Sequence, residues 1–119
     1  MDSFMVKTIT AEQLYRKIKG EEALILVDVR AEDKYNHFHI KATNVEDINV
    51  PKTEIFSLED KVEKVIPRLP KNSEIIITCT TGNSATTCAN ILSSRDYDVT
   101  VLEGGITAWK EYVSNKSLE

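Results

Sequence analysis

The chain has 119 residues, 41% of them apolar and 29% charged, which are the proportions of an ordinary globular domain with one hydrophobic core. Fifteen basic residues against 19 acidic ones leave a formal net charge of −4, which excludes a broad positive face for nucleic acid or anionic membrane. No apolar run approaches the roughly 20 residues that cross a bilayer, and the start lacks the apolar stretch of a signal peptide, so a cytoplasmic location is expected.

In chain order, short apolar and mostly β-branched runs at Phe4 to Val6, Leu24 to Val29, Ile75 to Ile77 and Val99 to Leu102 read as buried strands. Helical patterns lie between them. Thr10 with Gln13 reads as a capping box, Leu14 and Ile18 share one apolar face, and Gly20 is a stop. The stretch from Lys41 to Leu58 is expected to hold one short strand near Thr43 to Val45 and then loop. Val62, Val65, Ile66 and Leu69 have helical spacing, with Ser57 as a cap, Pro67 as a break in the last turn and Pro70 beyond the end.

After Cys79, the small and apolar residues Ala85, Cys88, Ala89 and Leu92 fall on one helical face that suits close packing on a sheet. Cys88 is therefore read as buried and structural. Gly104 and Gly105 form a turn, and Ile106, Trp109 and Val113 mark a final amphipathic helix in which Trp109 anchors the core. Strand and helix alternate throughout, which predicts an α/β domain with a mainly parallel sheet, helices on both faces and right-handed crossovers. One domain over residues 1–117 is expected, with Leu118 and Glu119 read as a cloning scar.

Chemistry concentrates in the stretch from Glu74 to Ala85, which reads as strand, tight loop, helix. Cys79 falls just past the strand's carboxyl end, the edge at which open α/β sheets bind ligands, and a helix beginning near Ser84 would aim backbone N–H groups at the loop. Such groups favour the charged form of a thiol. Gly82 allows the tight turn, while Thr80, Thr81, Asn83 and Ser84 offer hydroxyl and amide donors to an oxyanion or a persulfide. Buried structural cysteines are common, so the loop alone leaves a reactive and a structural Cys79 equally open. With Cys79 and Cys88 the only cysteines and His37 and His39 the only histidines, no disulfide framework, CxxC pair or metal site is expected.

Together with three other stretches, the loop resembles the rhodanese-like family of single-domain sulfurtransferases. Asp28-x-Arg30 after a strand, then Tyr35 and His39-Ile40, is similar to the family's early motif. Cys79 to Ser84 is similar to its active-site loop, and Gly104-Gly105 with Ala108-Trp109 to its closing signature. The resemblance implies a five-stranded, mainly parallel sheet with helices on both faces, and Cys79 as a nucleophile that takes sulfane sulfur from thiosulfate or a persulfide. The implied acceptor is a thiol, cyanide or a sulfur-acceptor protein, and no metal or organic cofactor is required.

Departures from the family pattern are confined to two places. The loop lacks the arginine or lysine that many members carry, which would leave backbone dipoles to bind an anion largely unaided. The usual Pro-Gly after His-Ile is replaced by Lys41 before Ala42, with Lys41 read as a solvated surface side chain. Asp28 and Arg30 are assigned mainly structural parts, a capping carboxylate and its ion-pair partner, and His39 is assigned to the turn. The alternative to an enzyme is a catalytically weak rhodanese-like binding or regulatory module. A phosphatase or arsenate reductase of related fold would need a longer loop ending in an arginine, where Ala85 stands.

Overall fold

Alternation of strand and helix is borne out in the computed structural model, which describes residues 6–60, 66 and 69–117. The elements are β1 (Lys7–Ile9), α1 (Ala11–Lys19), β2 (Leu24–Asp28), α2 (Glu32–His37), β3 (Val45–Asn49), α3 (Lys52–Phe56), β4 (Glu74–Thr78), α4 (Asn83–Ser94), β5 (Asp98–Leu102) and α5 (Gly105–Ser117). They build a five-stranded sheet in the order β1-β5-β4-β2-β3, with every neighbouring pair parallel. This is the α/β architecture expected from the sequence.

Side-chain alternation along the strands sends apolar residues to both faces of the sheet. On one face Val27, Ile75, Ile77, Val99 and Val101 pack against Ile55 of α3 and against Ala85, Cys88, Ala89 and Leu92 of α4. The other face joins Ile9, Leu26, Ile76 and Leu102 to Leu14 of α1 and to Ile106 and Trp109 of α5. Burying each large aliphatic side chain contributes about 1.5–3 kcal/mol, so the central strands β4 and β5 hold the sheet rigidly beneath the loops at its carboxyl edge. No helix among the described residues is long and apolar enough to cross a membrane.

Local signals act as read in α1. The Thr10 hydroxyl accepts from the Gln13 N–H at 3.1 Å, the Gln13 side chain accepts from the Thr10 N–H at 2.9 Å, and the helix stops at Gly20. The two edge strands differ from expectation. β1 runs over Lys7–Ile9, with only Ile9 buried, and the residues preceding Val6 in the expected first run lie outside the described residues. β3 runs over Val45–Asn49 rather than Thr43 to Val45, and the expected loop after it holds the short helix α3 behind Pro51. Both are edge strands with few buried side chains, so an apolar run does not mark them.

Ser57 ends α3, with its hydroxyl donating to the Glu54 carbonyl at 2.8 Å, and opens a 3-10 turn over Ser57–Asp60; the start of the helix it is expected to cap lies outside the described residues. Of the helix expected around Val62 to Leu69, only Ile66 and Leu69 lie within the described residues, and both are buried in the core.

Candidate active site

Cys79 follows β4 at the carboxyl edge of the sheet and is 4% exposed. Its chain turns sharply through Gly82, whose φ of +104° is one that L side chains rarely adopt. The turn folds the loop back over the sulfur. The Gly82 N–H donates to Cys79 Sγ at 3.0 Å and the Ala85 N–H at 3.3 Å. Two backbone donors, one in the loop and one in the first turn of α4, thus converge on a single sulfur.

A cleft of about 210 Å³ opens over Cys79, bounded by Ala31, Lys34, Lys52, Thr80, Thr81 and Ser84. Pockets for drug-sized ligands span roughly 300–1,000 Å³, so this one suits a small donor or the tip of a larger one. Three of the four polar loop side chains read from the sequence reach it. Asn83 does not: it opens α4 on an exposed face, outside the residues that line the cleft. A larger cleft of about 580 Å³ lies at the opposite ends of the strands, around Ala23, Leu24, Ser73 and Glu74, and no cysteine lines it.

Two lysines outside the loop also line the cleft. Lys34 comes from α2 and Lys52 from the start of α3, with Lys52 Nζ 3.5 Å from the Ser84 hydroxyl. Sequence reasoning missed Lys52 because it placed β3 too early, and Lys34 because no local pattern ties the residues of α2 to the loop after β4. Once β3 ends at Asn49, the residues just beyond it share the carboxyl edge with Cys79, and Lys52 is among them.

Asp28 and Arg30 form a buried ion pair. Asp28 Oδ1 accepts from the Arg30 N–H and from Nε, both at 3.0 Å, and Oδ2 accepts from Nη2 at 2.7 Å. Nη2 also donates to the Phe38 carbonyl. The guanidinium is therefore committed to holding the loop between β2 and α2, in agreement with a structural role, although Arg30 forms part of the cleft wall. Asn49 Nδ2 donates to the carbonyls of Asp28 and Arg30, each at 3.0 Å, and ties the same loop to β3.

No base stands beside the thiol among the residues that line the cleft. His39 stacks on Tyr35 with ring centroids 4.0 Å apart, and its Nε2 lies 2.9 Å from Asp47 Oδ2. The Tyr35 hydroxyl donates to the same carboxylate, and burial followed by that bond raises its pKa. Lys41 is exposed and lines a separate apolar groove with Phe38 and Trp109. Cys88 is fully buried in α4, and burial, then the nearby Cys79, pushes its thiol from 9.0 up to about 12. Trp109 is buried against Tyr15 at a centroid distance of 6.3 Å. Among the described residues no three His, Cys, Asp or Glu side chains gather as a metal site would need.

Comparison with known proteins agrees with this geometry. A family model described as a rhodanese-like domain matches residues 10–112. The chain is 26% identical over 105 residues to YtwF of Bacillus subtilis (strain 168), which bears a sulfurtransferase name, covering 88% of this chain and 91% of YtwF. It is 28% identical over 114 residues to the tRNA uridine(34) hydroxylase of Leptospira interrogans serogroup Icterohaemorrhagiae serovar Lai (strain 56601), covering 95% of this chain and 29% of that protein. The chain thus spans less than a third of the Leptospira relative.

Among solved structures, a rhodanese-related protein from Thermoplasma volcanium superposes with a TM-score of 0.68 at 28% identity, covering 89% of this chain and 92% of that one. A Saccharomyces cerevisiae protein shares the fold with a TM-score of 0.73 at 23% identity, covering 95% and 98% of the two chains. The order of the motifs, the parallel sheet and the loop folded over Cys79 are all explained by one conclusion: the chain belongs to the rhodanese-like domain family.

Proposed function

We propose that the protein is a sulfurtransferase in which Cys79 carries sulfane sulfur from thiosulfate or a persulfide donor to a thiol or cyanide acceptor. The observation that carries this reading is the pair of backbone N–H groups converging on Cys79 Sγ at the floor of a small cleft. In the first step the thiolate attacks the outer sulfur of thiosulfate. The S–S bond breaks, its electron pair leaves with sulfite, and Cys79 is left as a persulfide anion.

In the second step an acceptor thiolate or cyanide attacks the terminal sulfur, takes it as a new persulfide or as thiocyanate, and returns Cys79 as thiolate. No proton has to move between thiolate, donor and anionic acceptor, which fits a cleft without a base. The Gly82 and Ala85 N–H groups are fixed before the reaction, so they hold charge on the persulfide without reorganising. This intact cradle favours transfer over the catalytically weak binding module. A sulfur-acceptor protein remains compatible with the open mouth formed by the exposed Thr80 and Thr81.

Thiocyanate formation from thiosulfate or a persulfide donor and cyanide tests the proposal. The wild-type chain is expected to turn over, and Cys79→Ser to lose turnover completely. Equal turnover in the two would overturn the reading.

A further inference from the structure

A second concave site lies apart from Cys79. A groove of about 440 Å³ opens between the end of α2 and the helices α1 and α5, a size within the roughly 300–1,000 Å³ of small-molecule pockets. It shares no lining residue with the cleft over the nucleophile. Tyr15 and Ile18 of α1, Trp109 and Val113 of α5, and Phe38 and Ile40 from the connection after α2 form its apolar walls. Tyr15, Ile18, Phe38 and Val113 are only partly buried, so the groove keeps apolar surface in contact with water.

The charge around this apolar surface has one sign. No carboxylate lines the groove, whereas Lys41 does, exposed and without an ion pair among the described residues. Further ammonium groups stand on the lining rings: Lys110 Nζ is 4.5 Å from the Phe38 centroid, and Lys19 and Lys116 are 5.9 and 5.8 Å from that of Tyr15. His39 in the wall is matched by Asp47 at 2.9 Å and adds no excess of its own. In a chain of net charge −4, this cationic surround runs against the composition.

We propose that the groove binds a small aromatic carboxylate, with its ring against Phe38, Tyr15 and Trp109 and its carboxylate at Lys41. Aromatic walls favour a flat apolar body, because rings pack in offset or edge-on contacts, as Tyr15 already does with Trp109 at a centroid distance of 6.3 Å and an interplanar angle of 46°. Burial of that body supplies the affinity, and the ammonium groups select the anion over a neutral molecule of the same shape. Lys41 stands where the usual Pro-Gly would follow His-Ile, so the charge at the groove's edge is a feature of this chain.

Trp109 is the chain's only tryptophan, and its fluorescence therefore reports on the groove directly. The test titrates the full chain with biphenyl-4-acetate and with the neutral biphenyl-4-acetamide, read by Trp109 fluorescence and by calorimetry. The acid is expected to saturate with a Kd below about 1 mM, and the amide to bind about fivefold more weakly. Lys41→Gln is expected to remove most of that difference by weakening the acid alone, and added salt to do the same.

No saturable change with the acid, or equal affinity for acid and amide, would overturn the proposal. A preference for the acid that survives Lys41→Gln unchanged would overturn the placing of the carboxylate. A chain that sediments as a dimer, and as a monomer after Ile18→Glu, would give the groove to a second copy and overturn the proposal as well.

Discussion

The backbone N–H of Ile106 donates to the carbonyl oxygen of Cys79 at 2.8 Å, and the next residue repeats the bond, Thr107 N–H to the Thr80 carbonyl at 3.0 Å. The first turn of α5 is thereby fastened to the loop that carries the nucleophile. With the carbonyls of Cys79 and Thr80 drawn towards α5, the loop's later N–H groups are left to point at Sγ. The closing Gly-Gly signature follows from this contact. A Cβ on Gly105 would stand 2.3 Å from the Cys79 carbonyl oxygen and 2.8 Å from Thr80 backbone atoms, at a φ of +58°.

Gly105→Ala is accordingly expected to cost at least about 2 kcal/mol of stability, since backbone cannot yield as a flexible side chain does. It should also slow sulfur loading at Cys79 in the fraction that remains folded. Urea denaturation and loading rates measured on the same preparation check this. A variant as stable and as fast as wild type would mean that the α5 contact does not position the loop.

The Asp28 and Arg30 pair predicts a stability effect of another kind. Arg30→Gln leaves the Asp28 carboxylate, 3% exposed, without its bidentate partner, which should destabilise the fold by about 3–5 kcal/mol. Combining it with Asp28→Asn removes the uncompensated charge and is expected to recover much of the loss. Urea midpoints of the single and double variants read the difference. A loss below about 1 kcal/mol for Arg30→Gln would show that the pair is not needed to hold the loop.

Cys88 makes alkaline pH a probe of the core. In the folded chain its thiol is pushed from 9.0 up to about 12, chiefly by burial. Between those values the unfolded chain releases a proton that the folded chain keeps, so this group's contribution to stability is full below pH 9.0 and is lost as pH rises towards about 12. Cys88→Ala should lose about 1 kcal/mol at neutral pH from weaker packing, and should then decline less steeply than wild type. Thermal midpoints at about pH 8 and about pH 10.5 test this. Parallel declines in the two proteins would remove Cys88 as the source.

Much of this was legible in the sequence because local and tertiary demands coincide there. The apolar runs of β2, β4 and β5 are buried on both faces, and the Thr10 and Gln13 box caps α1 as read. Cys79 and Gly82 could be placed because strand, tight turn and helix follow one another without a gap.

What escaped was set by edges and by neighbours distant in sequence. Val-Glu-Asp-Ile-Asn is too polar to announce β3, and with β3 misplaced Lys52 could not be assigned to the carboxyl edge. Asn83 was grouped with the cleft by its proximity in sequence, whereas its place at the start of α4 leaves it outside the lining. The bracing of Cys79 by α5 joins residues on either side of α4 and β5, and no local pattern encodes it.

The most direct test of the central claim is intact-protein mass spectrometry with peptide mapping after incubation with thiosulfate, and separately with a persulfide donor. The account predicts a gain of one sulfur atom at Cys79, removed by cyanide or a thiol, absent in Cys79→Ser and retained in Cys88→Ser. Sulfur mapped to Cys88, or equal loss in both variants, would contradict the assignment of the nucleophile. No gain with either donor would contradict sulfur transfer and leave a binding module in its place.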